Sequence, residues 1–382
     1  MDTPTRSTRA GRYVRQPTGY RAFIPEELPP TPHIDLGRLT PLLSAADQAI
    51  GRLDGVSQTL PNPDLFVAMY VRRESVLSSQ IEGTQSSLDD VLAYELNALA
   101  PRLPRDVSEV VNHVAAMNYG LQRLESLPLS LRLIREIHKR LMQGTRGAER
   151  SPGAFRTSQN WIGPMGATLS EATYVPPPAH ELQRLLGDLE HFMHERSDMP
   201  ALVHAGVTHA QFETIHPFLD GNGRIGRLLI TFLLVHGGVI SQPLLYLSFF
   251  LHRHRAEYYD RLTAVREAGD WEGWLTFFLR GVAETCADAT RTAAAILALR
   301  DEHVLAIRDL PASAARLLDH LYEQPLVTAA SVGHSLGVSW PTANKMLTAF
   351  AHRRLVVEVT GQRRNRVYRY SPYLALFEHN GP

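Results

Sequence analysis

Twelve residues near the middle of the chain, His216-Pro217-Phe218-Leu219-Asp220-Gly221-Asn222-Gly223-Arg224-Ile225-Gly226-Arg227, combine groups that move protons, hold a metal and neutralise an anion. His216 is a base that exchanges protons near neutral pH. Asp220 offers the carboxylate oxygens that Mg²⁺ takes alongside phosphate oxygens. Gly221, Asn222 and Gly223 let the backbone reach positive φ and approach a ligand closely. The apolar run beginning at Arg224 reads as a helix, whose first N–H groups and dipole attract an anion. Arg224 and Arg227 lie about one turn apart and can face the same anion. A base, a metal ligand, an anion cradle and two arginines describe phosphoryl or nucleotidyl transfer. Taken singly, Gly-Asn-Gly is an ordinary turn, and a histidine at a helix end is commonly structural. Their conjunction favours chemistry over coincidence. A zinc hydrolase built on His204, His209 and His216 is disfavoured, because no His-Glu-x-x-His spacing is present.

The elements around this stretch read as mainly helical. Asn62-Pro63 supplies a cap and a first-turn proline, and Leu65, Met69, Val76 and Ile81 then recur at helical spacing. Gly83 is placed to end that helix, and Ser87-Leu88-Asp89-Asp90 reads as a capping box for the next. Further helices are expected over residues 107–124, 129–142, 179–195, 202–214, 253–268 and 271–299. Residues 155–175 carry turn residues between two β-prone runs and read as a hairpin. Residues 1–61 are rich in Pro, Arg and Thr and read as an extended arm, wrapped around the main body or in part disordered.

Beyond Leu310-Pro311, residues 312–321, 328–336 and 339–350 read as three short helices, with Gly337 between the last two. Two β-rich runs follow, 355–360 and 366–370. The order fits a winged helix-turn-helix over residues 310–376. The fold class is therefore mainly α, with a small α+β tail. Lys plus Arg equals Asp plus Glu, 39 each, so any affinity for nucleic acid or membrane has to be local. The single cysteine, Cys286, excludes an intrachain disulfide. With no apolar leader and no run long enough to span a bilayer, the chain reads as cytoplasmic and without a membrane partner.

The twelve-residue stretch closely resembles the core motif of the Fic (Fic/Doc) family, His-x-Phe-x-(Asp/Glu)-Gly-Asn-Gly-Arg-x-x-Arg, and matches every specified position. The resemblance extends over residues 62–299, with the helical region 62–126 ahead of a catalytic region 127–300. It implies adenylylation, in which AMP passes from ATP to a Ser, Thr or Tyr hydroxyl of a target protein and pyrophosphate leaves. In that reading His216 is the general base and Phe218 anchors the loop. Asp220 holds Mg²⁺. Gly221, Asn222 and Gly223 cradle phosphate at the start of the segment that continues through Ile225 and Gly226. Arg224 neutralises pyrophosphate, and Arg227 binds the γ-phosphate. Relatives of the Doc type, which phosphorylate, carry Lys where this chain has Gly223, so nucleotidyl transfer is expected.

The resemblance also matches Ser78-Ser79-Gln80-Ile81-Glu82-Gly83 to the family's inhibitory motif, (Ser/Thr)-x-x-x-Glu-(Gly/Asn). Ser78, Glu82 and Gly83 are its specified positions, and Glu82 is expected to pair with Arg227 and occupy the place of the γ-phosphate. Residues 155–175 resemble the flap that clamps the target as an added strand, with Trp161, Ile162 and Gly163 nearest the nucleotide. Tyr258 and Tyr259 resemble a pair that meets the adenine. Arg266 replaces an Asn found in some relatives. Self-modification and removal of AMP are compatible with the same site, and the oligomeric state is open, a homodimer included. In the tail, Arg353, Arg354, Arg363, Arg364, Arg366 and Arg369 cluster on or near the wing, beside a helix offering Trp340, Thr342, Asn344 and Lys345. DNA is one partner for such a patch and a protein is the other. A DNA-binding regulator with a nucleotide-sensing domain is the competing reading, although a sensor has no need of a base at His216.

Overall fold

The computed structural model of the chain describes residues 9–58, 63–96, 104–144, 150–164, 166–195 and 198–378. The chain opens with strands β1 (Gly11–Arg15) and β2 (Arg21–Pro25), followed by helices α1 (Leu36–Ser57), α2 (Pro63–Ile81), α3 (Leu88–Glu95), α4 (Val107–Leu124) and α5 (Leu131–Leu141). Next come α6 (Leu182–His194), α7 (Ala201–Ile215), α8 (Asn222–His236), α9 (Ser248–Arg253), α10 (Arg255–Ala268) and the long α11 (Trp271–Ala306). The tail runs α12 (Ser313–Glu323), β3 (Leu326–Thr328), α13 (Ala329–Leu336), α14 (Trp340–His352), β4 (Val357–Glu358), β5 (Val367–Arg369) and α15 (Ser371–Glu378). The fold is mainly α with small antiparallel sheets, as the periodicity requires.

Contacts divide the chain into two compact units, one of residues 1–50 with 112–285 and the other of 51–111 with 286–382. Thus α2 and α3 share a unit with the tail. In the first unit α7 is buried from Leu202 to Ile215 except for the half-buried His204, and packs on α8 and α6. A helix buried round its circumference forms the centre of a core, here with Thr208, His209, Gln211 and Glu213 among its buried residues. Gly206 on α7 accepts the Trp274 indole N–H at 2.9 Å through its carbonyl, fixing α11 against it.

In the second unit, α3 starts at the expected capping box: the Asp90 N–H donates to Ser87 Oγ at 3.2 Å, and the Ser87 N–H to Asp90 Oδ2 at 2.8 Å. Gly83, at φ 98°, stands just past the end of α2. Val76, Val91, Val107 and Val110 close a small apolar cluster beneath. The cap expected at Asn62 lies outside the described residues. The tail sheet has the order β3-β5-β4, all antiparallel.

Two expectations need correction. The described residues 9–58 of the N-terminal arm are structured: β1 and β2 pair from Gly11↔Pro25 to Arg15↔Arg21, and α1 follows. Leu39, Ala46, Ile50 and Leu53 bury one stripe of α1, a helical period set among prolines and polar residues. The hairpin at 155–175 reduces to one bridge, Ile162↔Tyr174, and a short 3₁₀ turn at Leu169–Glu171. Its intervening backbone finds partners elsewhere. The Thr168 N–H binds Glu171 at 2.9 Å, the Trp161 indole donates to the Ala167 carbonyl at 2.8 Å, and Val175 accepts the Phe23 N–H of β2 at 2.9 Å. Among the described residues no helix is long and apolar enough to cross a membrane.

Candidate active site

The site begins where α7 stops. Pro217 disfavours the right-handed helical region for the residue before it, so the helix ends at Ile215. His216 takes the left-handed conformation, φ 50° and ψ 62°, while its N–H still donates to the Phe212 carbonyl at 2.9 Å. A non-glycine residue there costs about 1–3 kcal/mol and needs support from its surroundings. Arg156 supplies it. Its Nε donates to the His216 carbonyl at 2.9 Å, and its terminal nitrogens to the carbonyls of Ser158 at 3.2 Å, Pro177 at 2.6 Å and Ile215 at 3.4 Å. No carboxylate among the described residues forms an ion pair with Arg156, which is buried. The negative end of the α7 dipole compensates its charge instead. Burial pulls its pKa down to about 10. Asn160 adds bonds from Nδ2 to the carbonyls of His216 at 3.2 Å and Phe218 at 2.8 Å.

The loop is then closed by Asn222, whose Oδ1 accepts the Phe218 N–H at 2.7 Å and whose Nδ2 donates to the Phe218 carbonyl at 2.8 Å. The Phe218 ring is fully buried and stacks on His138, with centroids 3.7 Å apart and planes 6° from parallel. The Gly153 N–H donates to His138 Nδ1 at 2.8 Å, so the ring proton resides on Nε2 and is given to the Asp220 carbonyl at 3.1 Å. Burial and the nearby Arg224 charge hold His138 neutral, with a pKa down at about 4.

Asp220 leaves its side chain 35% exposed beside the start of α8. Its Oδ1 accepts the Gly221 N–H at 2.7 Å and lies 3.8 Å from the Arg224 guanidinium, while Oδ2 accepts from Arg150 at 3.2 Å. Gly221 caps α8 at φ 75°, and a side chain there would meet Met142 Sδ at 3.1 Å. The first-turn N–H groups of α8, around Asn222 and Gly223, have no acceptor within a helix by construction. Arg224 and Arg227 project from that turn, both buried, as is Ile225. One face of the site thus concentrates donors and positive charge around a single carboxylate.

Two further groups stand behind this face, Glu213, which the sequence reading left aside, and His209, which it weighed only as a zinc ligand. Glu213, one turn before His216, places Oε2 4.0 Å from His216 Nδ1. Its other oxygen lies so close to Gly226 that a Cβ there would meet it at 2.2 Å. His209 donates from Nδ1 to the Gly226 carbonyl at 2.8 Å and accepts the Tyr258 hydroxyl at Nε2, 2.9 Å. Burial, with the Arg227 charge adding to it, keeps His209 neutral at a pKa of about 4.

The remaining sequence-derived residues are placed as follows. Tyr258 is buried and spends its hydroxyl on His209, whereas Tyr259 is partly exposed, its ring 5.1 Å from that of Tyr258. Tyr258 is therefore a core residue by contact. Trp161, Ile162 and Gly163 lie in the bridged segment, with Trp161 exposed. Arg266 is buried, with its guanidinium 4.0 Å over the Tyr174 ring. Ser78 is buried in α2, and Glu82 is exposed just past the helix end, its N–H donating to the Ser79 carbonyl at 3.0 Å. Ser78, Glu82 and Gly83 belong to the second unit, and the twelve-residue stretch to the first. His138, Arg156 and Asn160 carry no spacing signal, because the groups they bind are backbone groups distant in sequence.

Comparison with known proteins gives the same assignment. The sequence model of the Fic/DOC family N-terminal region matches residues 40–122, and that of the Fic/DOC family matches residues 128–234. A probable protein adenylyltransferase of Aquifex aeolicus is 27% identical over 205 residues, covering 53% of this chain and 56% of that protein. The protein adenylyltransferase Fic of Aedes aegypti is 31% identical over 177 residues, covering 44% of this chain and 31% of that protein. The matches thus span about half of the bacterial relative and about a third of the insect one. Among solved structures, a Fic family protein from Desulfovibrio desulfuricans superposes with a TM-score of 0.57 at 22% identity, covering 89% of this chain and 97% of that one. A Fic domain containing signalling protein from Bacteroides thetaiotaomicron gives 0.52 at 17% identity, covering 65% and 97%. These two share the fold. Motif and sequence models agree that residues 40–122 and 128–234 of the chain are Fic/DOC family regions.

Proposed function

We propose that the chain is a protein adenylyltransferase that moves AMP from ATP to a Ser, Thr or Tyr hydroxyl of a protein, itself included. The observation that carries this reading is the turn from His216 to Arg227, which sets a base, a carboxylate and a donor-rich helix start on one loop. Relatives bearing the same domain are named protein adenylyltransferases. In this reading His216 removes the proton of the target hydroxyl, whose oxygen bonds to the α-phosphorus. The bond from that phosphorus to the bridging oxygen breaks, and pyrophosphate leaves with the electron pair. Charge that develops there is met by the N–H groups around Asn222 and Gly223, by Arg224, and by Arg227 at the γ-phosphate. Ile225 and Gly226 back this turn.

No cluster of three or more acidic, His or Cys ligands exists among the described residues, so a metal held by protein alone does not fit. A Mg²⁺ ion brought with phosphates and waters does fit the single, partly exposed Asp220 carboxylate. When bound there, Mg²⁺ neutralises phosphate charge. Trp161, Ile162 and Gly163 lie nearest the nucleotide, and the partly exposed Tyr259 is better suited than the buried Tyr258 to meet adenine. Glu82 acts as a latch by pairing with Arg227 in place of the γ-phosphate, with Ser78 and Gly83 shaping its helix end. Absence of any second cysteine suits a cytoplasmic setting. The tail, with its helices α12, α13 and α14 and an antiparallel sheet, is read as a winged helix-turn-helix whose partner is DNA or a protein.

The test uses wild type, Glu82→Gly and His216→Ala with Mg²⁺ and ATP labelled at the α- or the γ-phosphate. Label arriving on protein from the α-position, strongest in Glu82→Gly and absent in His216→Ala, is the expected result. Transfer from the γ-position alone would make the chain a kinase despite Gly223. An unchanged Glu82→Gly variant would remove the latch and leave the transferase.

A further inference from the structure

Helix α5 buries one side and shows the other. Leu133, Ile134, Ile137, His138 and Leu141 are buried, whereas Arg132, Arg135, Lys139 and Arg140 are exposed. Glu136 is the one acidic residue of the helix, and three donors already surround its carboxylate. It accepts the Tyr119 hydroxyl at 2.8 Å, Arg123 Nε at 3.2 Å and Arg132 Nε at 3.0 Å. Arg140 lies over the Tyr119 ring, 4.1 Å from its centroid. Arg135 and Lys139 keep their charges, for neither forms an ion pair among the described residues.

Those two side chains line a groove of about 340 Å³ between α5 and the turn at residues 152–154. The turn comes this close because Gly153 has no side chain. At its φ of 79°, a Cβ would meet the Arg135 carbonyl and Lys139 Cβ, each at 3.0 Å. Arg135 is already held in place: its Nε donates to the Gly153 carbonyl at 2.8 Å, and its guanidinium lies 5.7 Å from the centre of the Phe155 ring. A side chain fixed in this way loses little further freedom when it takes an anion. The groove is also one side chain away from the reacting loop. The Gly153 N–H bonds to His138 Nδ1, and His138 Nε2 donates to the Asp220 carbonyl. The Phe155 ring meets that of Phe218 at 5.2 Å.

We infer that this groove docks an acidic, extended segment of the protein that the site modifies. The inference rests on the reading of the site as a protein adenylyltransferase and names a property of its target. Arg135 and Lys139 are one helical turn apart, about 6 Å along the axis. Alternate side chains of an extended chain recur at about 6.6 Å and point the same way, so two carboxylates spaced by one residue match the two cations. The Arg135 fork suits a carboxylate, and the Lys139 ammonium accepts one from a range of directions. A nucleic acid fits less well. Two uncompensated cations displace too few counterions to hold a phosphate chain, and the Glu136 carboxylate stands in the same wall.

The experiment measures the anisotropy of a fluorescein-labelled peptide of alternating Glu and Ser, titrated with the full chain without ATP at about 20 and about 150 mM salt. A peptide of alternating Gln and Ser is its neutral counterpart. Saturable, salt-sensitive binding of the Glu peptide is expected, with none of the Gln peptide. Lys139→Glu should weaken it about tenfold at low salt. Lys139→Met, which keeps an apolar stem against Gly153, should weaken it several-fold with an unchanged thermal melt. Arg12→Ala, at an exposed arginine on β1, should leave binding as it is. With Mg²⁺ and α-labelled ATP, Lys139→Met should raise KM for the Glu peptide several-fold at constant kcat. The inference is overturned by equal affinity for the two peptides, or by equal affinity of wild type and Lys139→Glu. It is also overturned by a single-stranded oligonucleotide of equal charge that binds at Lys139 more tightly than the peptide. No transfer to either peptide, with Lys139-dependent binding intact, would count against the transferase reading alone and support the groove as an acidic-segment site.

Discussion

The Arg156 guanidinium lies 2.9 Å from the carbonyl oxygen of His216, at the residue where α7 turns left-handed. Replacing it with Met would strip donors from the carbonyls of Ser158, Pro177, Ile215 and His216 together. We expect a loss of about 2–4 kcal/mol in urea unfolding at unchanged m-value. Arg156→Lys should recover little of it, because a single ammonium does not span the forked set of acceptors.

Stability should fall as pH is lowered from about 6.5 towards 4. His138 and His209 both have folded pKa values near 4, against an ordinary 6.5. Between those values the unfolded chain binds more protons, so stability rises with pH across that window and is level below it. Each neutral imidazole contributes on the order of 3 kcal/mol to the change. Urea midpoints measured from pH 7 to pH 4 should show the slope, and His138→Gln should flatten it.

Gly226→Ala should damage the site through Glu213, whose Oε1 would lie 2.2 Å from the added carbon. A cost of about 1–3 kcal/mol is expected, with a fall in transfer rate as His216 loses its neighbour's placement. Adding Glu213→Ala removes the clash, so the two changes should be strongly non-additive in stability. Simple addition of the two costs would show that the backbone, not Glu213, resists the methyl group.

The two adjacent tyrosines should separate cleanly. Tyr258→Phe deletes the hydroxyl bonded to His209 Nε2 and should cost about 1–2 kcal/mol in thermal unfolding, with nucleotide affinity unchanged. Tyr259→Ala should do the reverse, leaving the melt in place and weakening ATP several-fold in a fluorescence titration. Equal losses of affinity in both would return Tyr258 to the nucleotide.

The helices, the capping box at Ser87 and the stop at Gly83 were legible in the sequence because each depends on residues within a few positions of one another. The same holds for helices α12, α13 and α14 and strands β4 and β5 of the tail, whereas β3 and α15 were not read from the sequence. The gathering of His216 to Arg227 on one loop and helix start was legible for that reason too. The supports were not. Arg156 reaches carbonyls at Pro177 and His216, and His138 reaches the Asp220 carbonyl, side-chain contacts to distant backbone groups that leave no signature at the accepting residue. Helix α1 was hidden because its apolar stripe is spaced among prolines and polar residues, and the strand reading of residues 155–175 failed where side chains took over the ladder's hydrogen bonds. In the basic tail, the sequence shows six arginines but not that Asp309 and Asp89 spend two of them.

The support of α2 bears on how shortened versions of this chain would behave. The Tyr70 ring meets Phe377 of α15 at 5.5 Å, Arg73 meets Asp288 of α11 at 3.5 Å, α12 packs along the same helix, and Asp89 of the adjoining α3 holds Arg369. Cutting the chain after α11 would therefore do more than discard an appendage: it would unseat the helix that leads into Glu82. A rise in activity on such trimming would be misread as relief from a regulatory tail, when its immediate cause is a lost seat for the helix. Point substitutions at Phe377 or Asp89, graded by size, would separate seating from regulation where truncation merges them.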